Sequence, residues 1–558
     1  MKSDLEIAAG VPCRPISRIA ASLGLSDADY APYGRNKAKL EPCVFERLAD
    51  RPDGHLVLVT AITPTPAGEG KTTTTIGLTD ALRRRGKKSI AAIREPSLGP
   101  VFGRKGGAAG GGWAQVIPME DINLHFTGDF HAVCAANNLL VAMTDNHIFH
   151  GNALRIDSDH VVLKRCLDMN DRALRHIELR TAGKTGYTRQ GSFEITAASE
   201  LMAVLCLASG LADLKRRIAE VIVAYDVDGK PVTAGDLHAA EAAAVLLKEA
   251  IKPNLAQTLE GTPVLIHGGP FANIAHGCNS LLATKLGLKL AEYTITEAGF
   301  GADLGAEKFI DIKCRLGGLK PAASVLVVTV RALKMHGGLA KDELGHEDLA
   351  ALERGLPNLL RHLDNLVNVF RLPAVVAVNR FPTDTDAELG LVMKSCASLG
   401  VRTVLSDVWA KGGEGGLELA DAVVELCEKN RDPKPVFAYP LGGMSLREKL
   451  DTIVRRIYRG RGAVFTEEAE RQLQLLSKFG GDSMPVCIAK TPYSFTGDQT
   501  LAGAPEGFDL LIRDLKISAG AGFVVALAGD VMTMPGLPSS PAAERIHIAD
   551  DGTVDGLF

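Results

Sequence analysis

The sequence predicts an α/β protein whose main sheet is mostly parallel. Four short apolar runs carry this prediction, and each is followed by a loop of glycine and polar or basic residues; the runs are residues 56–62, 89–93, 262–267 and 325–330. Runs that are apolar throughout are typical of parallel strands buried on both faces. In open α/β sheets the ligand crevice lies at the carboxyl ends of the strands. We therefore expect the binding site in the loops that follow these runs.

The first of these loops has the composition of a phosphate cradle. Thr63-Pro-Thr-Pro-Ala-Gly-Glu-Gly-Lys-Thr-Thr follows the run 56–62 and leads into an apolar pattern of helical spacing. Backbone N–H groups at a helix start point at an anion, Lys71 would reach the outer phosphates of ATP, and the Thr72 hydroxyl would contact Mg²⁺. Thr65 stands where the general P-loop pattern has glycine, and an ordinary strand-to-helix turn is the alternative interpretation. The predicted nucleotide contacts are Thr65, Pro66, Ala67, Gly68, Glu69, Gly70, Lys71 and Thr72.

A second anion-binding element is expected after the run 89–93. Arg94 falls at the end of that run, where another anionic group would lie. The glycine-rich stretch that includes Gly103, Gly106 and Gly107 follows it. Glycine in such number costs backbone entropy, and it is useful where the backbone must approach a ligand closely. A flexible linker is the alternative for this stretch, but the Arg-Lys pair within it favours a functional loop.

Three domains are expected. Residues 1–364 would form a large domain of the P-loop NTPase type. Beyond about residue 365, strand and helix patterns alternate at shorter intervals, which indicates a smaller α/β domain over residues 365–455. The sequence predicts that Thr466 caps a helix that ends at Gly480, and this helix would open a C-terminal α/β domain, residues 456–558.

Several aromatic and basic residues have two interpretations. Phe381 and Trp409 lie in strand-end loops of the second domain, so they are candidates to stack on a planar ring, with core packing as the alternative. Lys37 and Lys39 could face phosphates, but a solvated surface is the favoured interpretation.

Two stretches resemble motifs without meeting their requirements. Residues 119–150 are dense in His and Asp, yet their spacing does not fit the usual zinc patterns. Residues 226–229 imitate the D-x-x-G of GTPases, but Asp228-Gly229 is better explained as the turn of a β-hairpin. No guanine-recognition motif follows, so GTP specificity is not supported.

Composition and charge exclude several classes of protein. The 558 residues carry 62 basic and 66 acidic side chains, a net charge of −4 that gives no footprint for nucleic acid or anionic membrane. None of the ten cysteines forms a C-x-x-C pair, so neither a zinc site nor a disulfide framework is indicated. The N-terminus is acidic where a signal peptide is basic, and the apolar runs are too short to span a membrane. We expect a cytoplasmic, reduced protein.

The chain resembles formate–tetrahydrofolate ligases (10-formyltetrahydrofolate synthetases) along essentially its whole length. In that family Thr65 is the usual form of the phosphate loop. Trp113 and Pro492 depart from the family pattern, which has Tyr and Gln there. The resemblance rests on five blocks: Thr63-Pro-Thr-Pro-Ala-Gly-Glu-Gly-Lys-Thr-Thr, Arg94-Glu-Pro-Ser-Leu-Gly-Pro, Gly103-Arg-Lys-Gly-Gly-Ala-Ala-Gly-Gly-Gly-Trp113, Val327-Val-Thr-Val-Arg-Ala-Leu-Lys-Met-His-Gly-Gly338 and Met534-Pro-Gly-Leu-Pro538.

The resemblance implies a reaction and a set of ligands. Formate would attack the γ-phosphorus of MgATP to give formyl phosphate, and N10 of tetrahydrofolate would then attack the formyl carbon. It implies that Lys71 and Thr72 hold MgATP, that Arg94 holds formyl phosphate and that Asp129 makes a polar contact near N10. It also implies that Phe381 and Trp409 enclose the pterin. A homotetramer and activation by a monovalent cation, K⁺ or NH₄⁺, are further implications.

Two rival functions remain open from the residues alone. A P-loop ATPase of the dethiobiotin-synthetase or partition-protein kind would share the run 56–62 and Lys71, but it should lack the later blocks. A nucleotide switch that binds DNA or a membrane predicts a basic face or an amphipathic anchor. The sequence shows neither feature.

Overall fold

A seven-stranded parallel sheet lies at the centre of the protein. The computed structural model describes residues 3–66, 68–103, 109–183, 186–529 and 531–557 of the chain. The parallel strands, numbered in chain order, are β1 His55–Ala61, β2 Ser89–Ile93, β3 Pro263–Ile266, β4 Tyr293–Glu297, β5 Pro321–Val328, β6 Ala374–Asn379 and β7 Thr403–Ser406. Their order across the sheet is β3-β2-β4-β1-β5-β6-β7. The mostly parallel sheet expected from the apolar runs is confirmed.

Strand β1 is buried on both faces. Leu56 and Leu58 belong to one hydrophobic cluster, whereas Val57 and Val59 belong to another. Side chains of a strand alternate between the two sides of the sheet, so the two clusters lie on opposite faces. This burial explains why the sequence of β1 is apolar throughout rather than alternating.

Short antiparallel strands extend the sheet beyond β3. Asn254–Thr258 pairs antiparallel with β3, and it also pairs with Ala38–Leu40 and Ala114–Ile117. Tyr30–Pro32 and Gly110–Gly111 complete this edge. The extension places the segment after the glycine-rich stretch beside the main sheet.

Helices pack on both faces of the sheet. Helix α1, Lys71–Arg84, follows β1, and the longest helix, α2, covers Asp129–Phe149. No described helix is both long and apolar enough to cross a membrane. The other helices of eight or more residues are Glu200–Leu207, Leu211–Glu220, Leu281–Leu290, Leu349–Asp364, Asp386–Ala397, Leu417–Lys429, Leu446–Ile453 and Glu467–Lys478.

Smaller sheets stand apart from the main one. Ile222–Asp226 pairs antiparallel with Pro231–Thr233 and Ile156–Val161, and the amide of Gly229 donates to the carbonyl of Asp226. This is the hairpin expected at residues 226–229. A four-stranded mixed sheet has the order Gly462–Phe465, Asp509–Ser518, Phe523–Ala528 and Val486–Ala489.

The C-terminal helix begins and ends near the predicted residues. Thr466 accepts a hydrogen bond from the Ala469 amide at 3.2 Å, so its side chain caps helix Glu467–Lys478. Gly480 follows with a left-handed φ of 82°. A side-chain cap and a left-handed glycine are the two terminal signals that the sequence carries.

The strands of the predicted second domain belong to the main sheet. β6 lies within residues 365–455 and pairs in parallel with β5, and β7 pairs with β6. The expected boundary at residue 364 therefore falls within one continuous sheet. The division into three domains stays a prediction.

Candidate functional site

The phosphate loop joins the end of β1 to the start of α1. Gly70 precedes Lys71 with a left-handed φ of 77°, and no side chain caps the helix. The first amides of α1 are thus left for an anion from outside the helix. A Cβ at Gly70 would lie 2.6 Å from the Asn379 amide nitrogen, so both the conformation and the space require glycine. Ala67 lies outside the described residues.

Two side chains hold this loop in shape. The Glu69 carboxylate accepts a hydrogen bond from the Thr65 amide at 2.7 Å. Asn379, at the end of β6, donates to the Glu69 carbonyl at 2.6 Å and accepts from the Thr74 hydroxyl at 3.1 Å. Pro66, Gly68 and Gly70 are exposed, as residues that meet a ligand must be.

Thr63 anchors the start of the loop in the interior. Its amide donates to Asn358 Oδ1 at 3.2 Å, and its hydroxyl lies 2.9 Å from His362 Nε2. His336 Nε2 donates to the Thr63 carbonyl at 2.8 Å, while its Nδ1 accepts from the Gly503 amide at 3.3 Å. Burial lowers the pKa of His336 and lowers that of His362 to about 3, so both rings are neutral. One donor and one acceptor nitrogen in His336 match that neutral form.

Thr72 and Arg94 contact one buried carboxylate, and its charge also acts on Lys71. Glu297, at the end of β4, is 2% exposed and accepts from the Thr72 hydroxyl at 2.8 Å. Its other oxygen lies 3.5 Å from Arg94 Nη2. Burial lowers the pKa of Lys71, and the charges of Glu69 and Glu297 oppose that effect. The ends of β1, β2 and β4 thus bring three predicted residues together.

Arg94 retains unused hydrogen-bonding capacity. It follows β2, and its Nη1 lies 3.5 Å from the Pro270 carbonyl oxygen, a long contact. Within the described chain its buried Nε has no partner. A Cβ at Gly299 would lie 2.8 Å from Arg94 Nη1, so glycine is needed there to admit the guanidinium. An arginine held this loosely is suited to an oxyanion.

The residues around Thr72 fit a magnesium ion that is shared with phosphate. A hydroxyl and a carboxylate, from Thr72 and Glu297, are hard oxygen donors of the kind that Mg²⁺ prefers. No cluster of three His, Cys, Asp or Glu that could hold a metal occurs among the described residues. Mg²⁺ in nucleotide sites takes only one or two protein groups and completes its shell with phosphate and water.

The glycine-rich stretch is anchored at both described ends. A Cβ at Gly103 would lie 2.7 Å from Asn170 Nδ2. At the other end, the Gly112 amide donates to Asp4 Oδ1 at 2.9 Å and the Trp113 amide donates to the Trp409 carbonyl at 2.8 Å. Gly106 and Gly107 lie outside the described residues.

Phe381 and Trp409 lie at the same edge of the sheet as the phosphate loop. Phe381 follows β6, and the Arg331 guanidinium lies 4.3 Å from its ring centre. Trp409, after β7, is 45% exposed. Neither ring belongs to the buried core, and in the described chain the two rings do not stack on each other. Exposed aromatic rings at this edge can accept a flat ligand.

Asp129 is fully engaged inside the protein. Lys39 Nζ donates to one of its oxygens at 2.7 Å, and Asn254 Nδ2 donates to the other at 2.7 Å. Lys39 is 0% exposed, so the expectation of a solvated surface was wrong for this residue. Lys37 is partly buried and pairs with Asp121 at 2.5 Å.

Glu95 completes a charged cluster that the sequence interpretation missed. Burial and the Asp129 charge raise the pKa of Glu95 well above its usual range, and its Oε2 has no partner in the described chain. Glu95 and Glu297 both occupy strand-end positions in glycine-rich blocks, and that signal could have identified them. Lys39 gave a weaker signal, a lysine between two apolar residues of a short strand.

Comparison with known proteins agrees with this geometry. A family profile described as "Formate--tetrahydrofolate ligase" matches residues 2–558. A protein of Symbiobacterium thermophilum named "Formate--tetrahydrofolate ligase" is 59% identical over 559 residues, covering all of both chains. The chain belongs to the formate–tetrahydrofolate ligase family.

Proposed function

We propose that this protein ligates formate to tetrahydrofolate with ATP, giving 10-formyltetrahydrofolate, ADP and phosphate. The observation that carries the proposal is that Thr72 and Arg94 contact Glu297 beside Lys71, at the N-terminus of α1. That arrangement offers one cation for ATP and a second cation for a new acyl phosphate. The family match supports the same reaction.

ATP binds where the amides of α1 are open. Its β- and γ-phosphates accept hydrogen bonds from these amides, and the Lys71 ammonium neutralises their charge. Thr72 and Glu297 would hold Mg²⁺, which would offset the charge on the phosphate oxygens. The fold of this part is proposed to be of the P-loop NTPase type.

Formate is activated by phosphorylation. A formate oxygen forms a bond to the γ-phosphorus, the bond to ADP breaks, and formyl phosphate results. Arg94 holds this intermediate, because its guanidinium has donors that Glu297 and Pro270 leave under-used. The glycine-rich stretch covers it and excludes water, which would otherwise hydrolyse the acyl phosphate.

Tetrahydrofolate then takes the formyl group. Phe381 and Trp409 hold the pterin, N10 forms a bond to the formyl carbon, and phosphate and a proton leave. Both oxygens of Asp129 already have partners, so we propose that it acts through Glu95 rather than on the folate. Burial and the Asp129 charge together raise the pKa of Glu95, which follows Arg94 in the chain.

Assembly, location and activation are proposed with the reaction. A homotetramer in the cytoplasm is proposed, and all ten cysteines are free thiols, as a reducing compartment requires. Activation by a monovalent cation, K⁺ or NH₄⁺, is proposed from the family resemblance alone. Residues 1–364, 365–455 and 456–558 are proposed as nucleotide-binding, folate-binding and C-terminal parts.

Oxygen transfer from formate to phosphate tests the proposal. With ¹⁸O-labelled formate, the reaction through formyl phosphate leaves one labelled oxygen in each inorganic phosphate released. ADP formation should require both formate and tetrahydrofolate. Two outcomes would contradict the ligase mechanism and favour the P-loop ATPase alternative. One is ATP hydrolysis at the same rate without formate and tetrahydrofolate, and the other is inorganic phosphate that carries no ¹⁸O.

Arg94→Ala tests the residue assigned to the intermediate. We expect product formation to fall by about 10²–10³-fold, because one charged donor to a developing oxyanion is lost. Affinity for ATP, measured by equilibrium binding, should change little, since Lys71 and the amides of α1 remain. Arg35→Ala, an exposed arginine in the N-terminal segment, is the matched control and should keep its activity.

A further inference from the structure

Helix α2 and strand Arg165–Leu167 bring two cysteines into contact. Cys134 Sγ lies 3.1 Å from the carbonyl oxygen of Cys166, and Cys166 Sγ lies 3.9 Å from the carbonyl oxygen of Cys134. Because each sulfur reaches the backbone of the other residue, the two side chains lie side by side. Asn138 donates to the Cys134 sulfur at 3.5 Å and accepts from the Cys166 amide at 2.9 Å, which holds the strand against the helix.

The two thiols differ in access and in acidity. Cys134 is partly exposed, whereas Cys166 is 1% exposed. The neighbouring Cys166 thiol, with a smaller contribution from the Asn138 hydrogen bond, outweighs partial burial and lowers the pKa of Cys134. The Cys134 thiol and burial raise the pKa of Cys166. Redox-sensing cysteines are typically accessible, acidic and placed next to a second thiol.

We propose that Cys134 and Cys166 form a reversible disulfide when the protein meets a peroxide. The Cys134 thiolate attacks one peroxide oxygen, the O–O bond breaks, and hydroxide leaves, so Cys134 becomes a sulfenic acid. Cys166 then forms the S–S bond to Cys134, the S–O bond breaks, and the thiol proton leaves with hydroxide as water. Two thiols are oxidised and one hydrogen peroxide is reduced to two waters.

The disulfide would join two segments that support the proposed site. Asp168, two residues after Cys166, accepts from the Ser97 hydroxyl at 2.5 Å and from the Leu98 amide at 2.9 Å, just after the Arg94 block. Asn170 packs against Gly99 and Gly103. The segment after Cys166 thus contacts residues 97–103, which lead into the glycine-rich stretch.

Formation of the bond should disturb this support. A disulfide draws two sulfurs to about 2 Å, well inside the distance of a non-bonded contact. Cys134 lies on the helix that begins with Asp129, so the bond would tie this helix covalently to the strand that holds Cys166. A displacement of about 1 Å near reacting groups can cost 10²-fold in rate. We expect oxidation to lower the ligase rate by about ten-fold or more, and a thiol reductant to restore it.

The experiment treats the full-length protein with hydrogen peroxide. Catalase removes the peroxide before the assay, because tetrahydrofolate itself is easily oxidised. Free thiols are alkylated, and peptides are mapped by mass spectrometry. Formation of product is measured before oxidation, after oxidation and after dithiothreitol. We expect a peptide pair linked through Cys134 and Cys166, with loss and recovery of rate in parallel.

Three variants distinguish the pair from general oxidation. Cys134→Ser and Cys166→Ala should retain their rate after peroxide, whereas Cys43→Ser, which removes an exposed cysteine, should remain as sensitive as the wild type. Absence of the linked peptides in oxidised wild-type protein would overturn the proposal, and this measurement requires no variant to fold. A linked pair with an unchanged rate would overturn its regulatory part. Peptide mapping is independent of the ligase reaction, so failure of the proposed function would not be confused with failure of this inference.

Discussion

Three buried lysines of the fold and the cations of the site are held in different ways. Lys39, Lys334 and Lys490 are almost fully buried, and each has a carboxylate oxygen within 2.7–2.8 Å. Arg94 has its carboxylate at 3.5 Å, and Lys71 makes no ion pair among the residues that the structure describes. Cations that stabilise the fold are thus satisfied internally, whereas those at the sheet edge keep their donors for a ligand.

Lys490 tests the internal side of this comparison. Lys490→Met leaves the Asp303 carboxylate buried without its cation, so we expect the free energy of unfolding to fall by about 3–5 kcal/mol. Urea denaturation measures the change. Lys478→Met, at an exposed position, should stay within about 0.5 kcal/mol of the wild type. If Lys490→Met were as stable as this control, the ion pair would not support the fold. Adding Asp303→Leu should recover much of the loss.

Lys71 tests the other half of the comparison, that the cations of the site serve the ligand rather than the fold. Lys71→Ala should lower kcat by about 10²–10³-fold, because the cation that neutralises the transferred phosphoryl group is removed. Its free energy of unfolding should change by less than about 1 kcal/mol, since no internal carboxylate loses a close partner. Lys88→Ala, an exposed lysine beyond the far end of α1, is the control for activity. A large loss of stability with little loss of rate would reverse the distinction drawn between the two groups of cations.

Asp168 extends the comparison to an anion. This carboxylate lies near the site, and its described partners are Ser97 and Leu98 rather than a cation. Burial raises the pKa of Asp168 to about 6, above the unfolded value of 3.8. The folded state then binds more protons between about pH 4 and 6, so this group lowers stability as pH rises through that window. Asp168→Asn should gain up to about 3 kcal/mol relative to the wild type between pH 4 and 7.

The difference in the free energy of unfolding between Asp168→Asn and the wild type reports on Asp168 alone, because other groups that titrate in the same range contribute equally to both. Urea denaturation at several pH values measures it. Asp159→Asn, at an exposed carboxylate, is the control and should run parallel to the wild type. Parallel curves for Asp168→Asn as well would show that Asp168 is already ionised at pH 4.

Trp409 tests the aromatic part of the edge, where the expected effect is smallest. Trp409→Ala should raise KM for tetrahydrofolate roughly ten-fold, within the range for loss of one stacking ring. Phe479→Ala removes an aromatic ring that is 38% exposed, just after helix Glu467–Lys478, and should leave KM unchanged. In Trp113→Phe, Trp409 is the sole indole, so quenching of its fluorescence by tetrahydrofolate reports binding directly. No quenching would place the pterin elsewhere.

Local patterns predicted the parts of the fold that local forces determine. The apolar strands, the glycine turn before Lys71, the hairpin at residues 226–229 and the Thr466 cap each depend on a few adjacent residues. The relation of β6 to the main sheet depends on pairing between distant segments, and a change in the spacing of elements does not reveal it.

Charged residues whose partners are distant in sequence were harder to assign. Lys39 was expected at the surface, because its partner Asp129 is ninety positions away. Glu297 and Glu95 were not singled out, although both stand at strand ends in glycine-rich blocks, because their interactions involve residues distant in sequence. Asp129 was expected to face the folate, and only the structure shows that both its oxygens are occupied.

The contacts of Thr63 link the nucleotide loop to the C-terminal part of the chain, which bears on any attempt to truncate the protein. Asn358 and His336, which hold Thr63, also bind the backbone of Gly503, and Asn358 Nδ2 donates to the Gly503 carbonyl at 2.6 Å. The last hundred residues therefore form part of the wall that supports the nucleotide loop. A fragment truncated near residue 455 would lose the Gly503 contacts to Asn358 and His336, so the C-terminal part helps to position the nucleotide loop and is not an independent module.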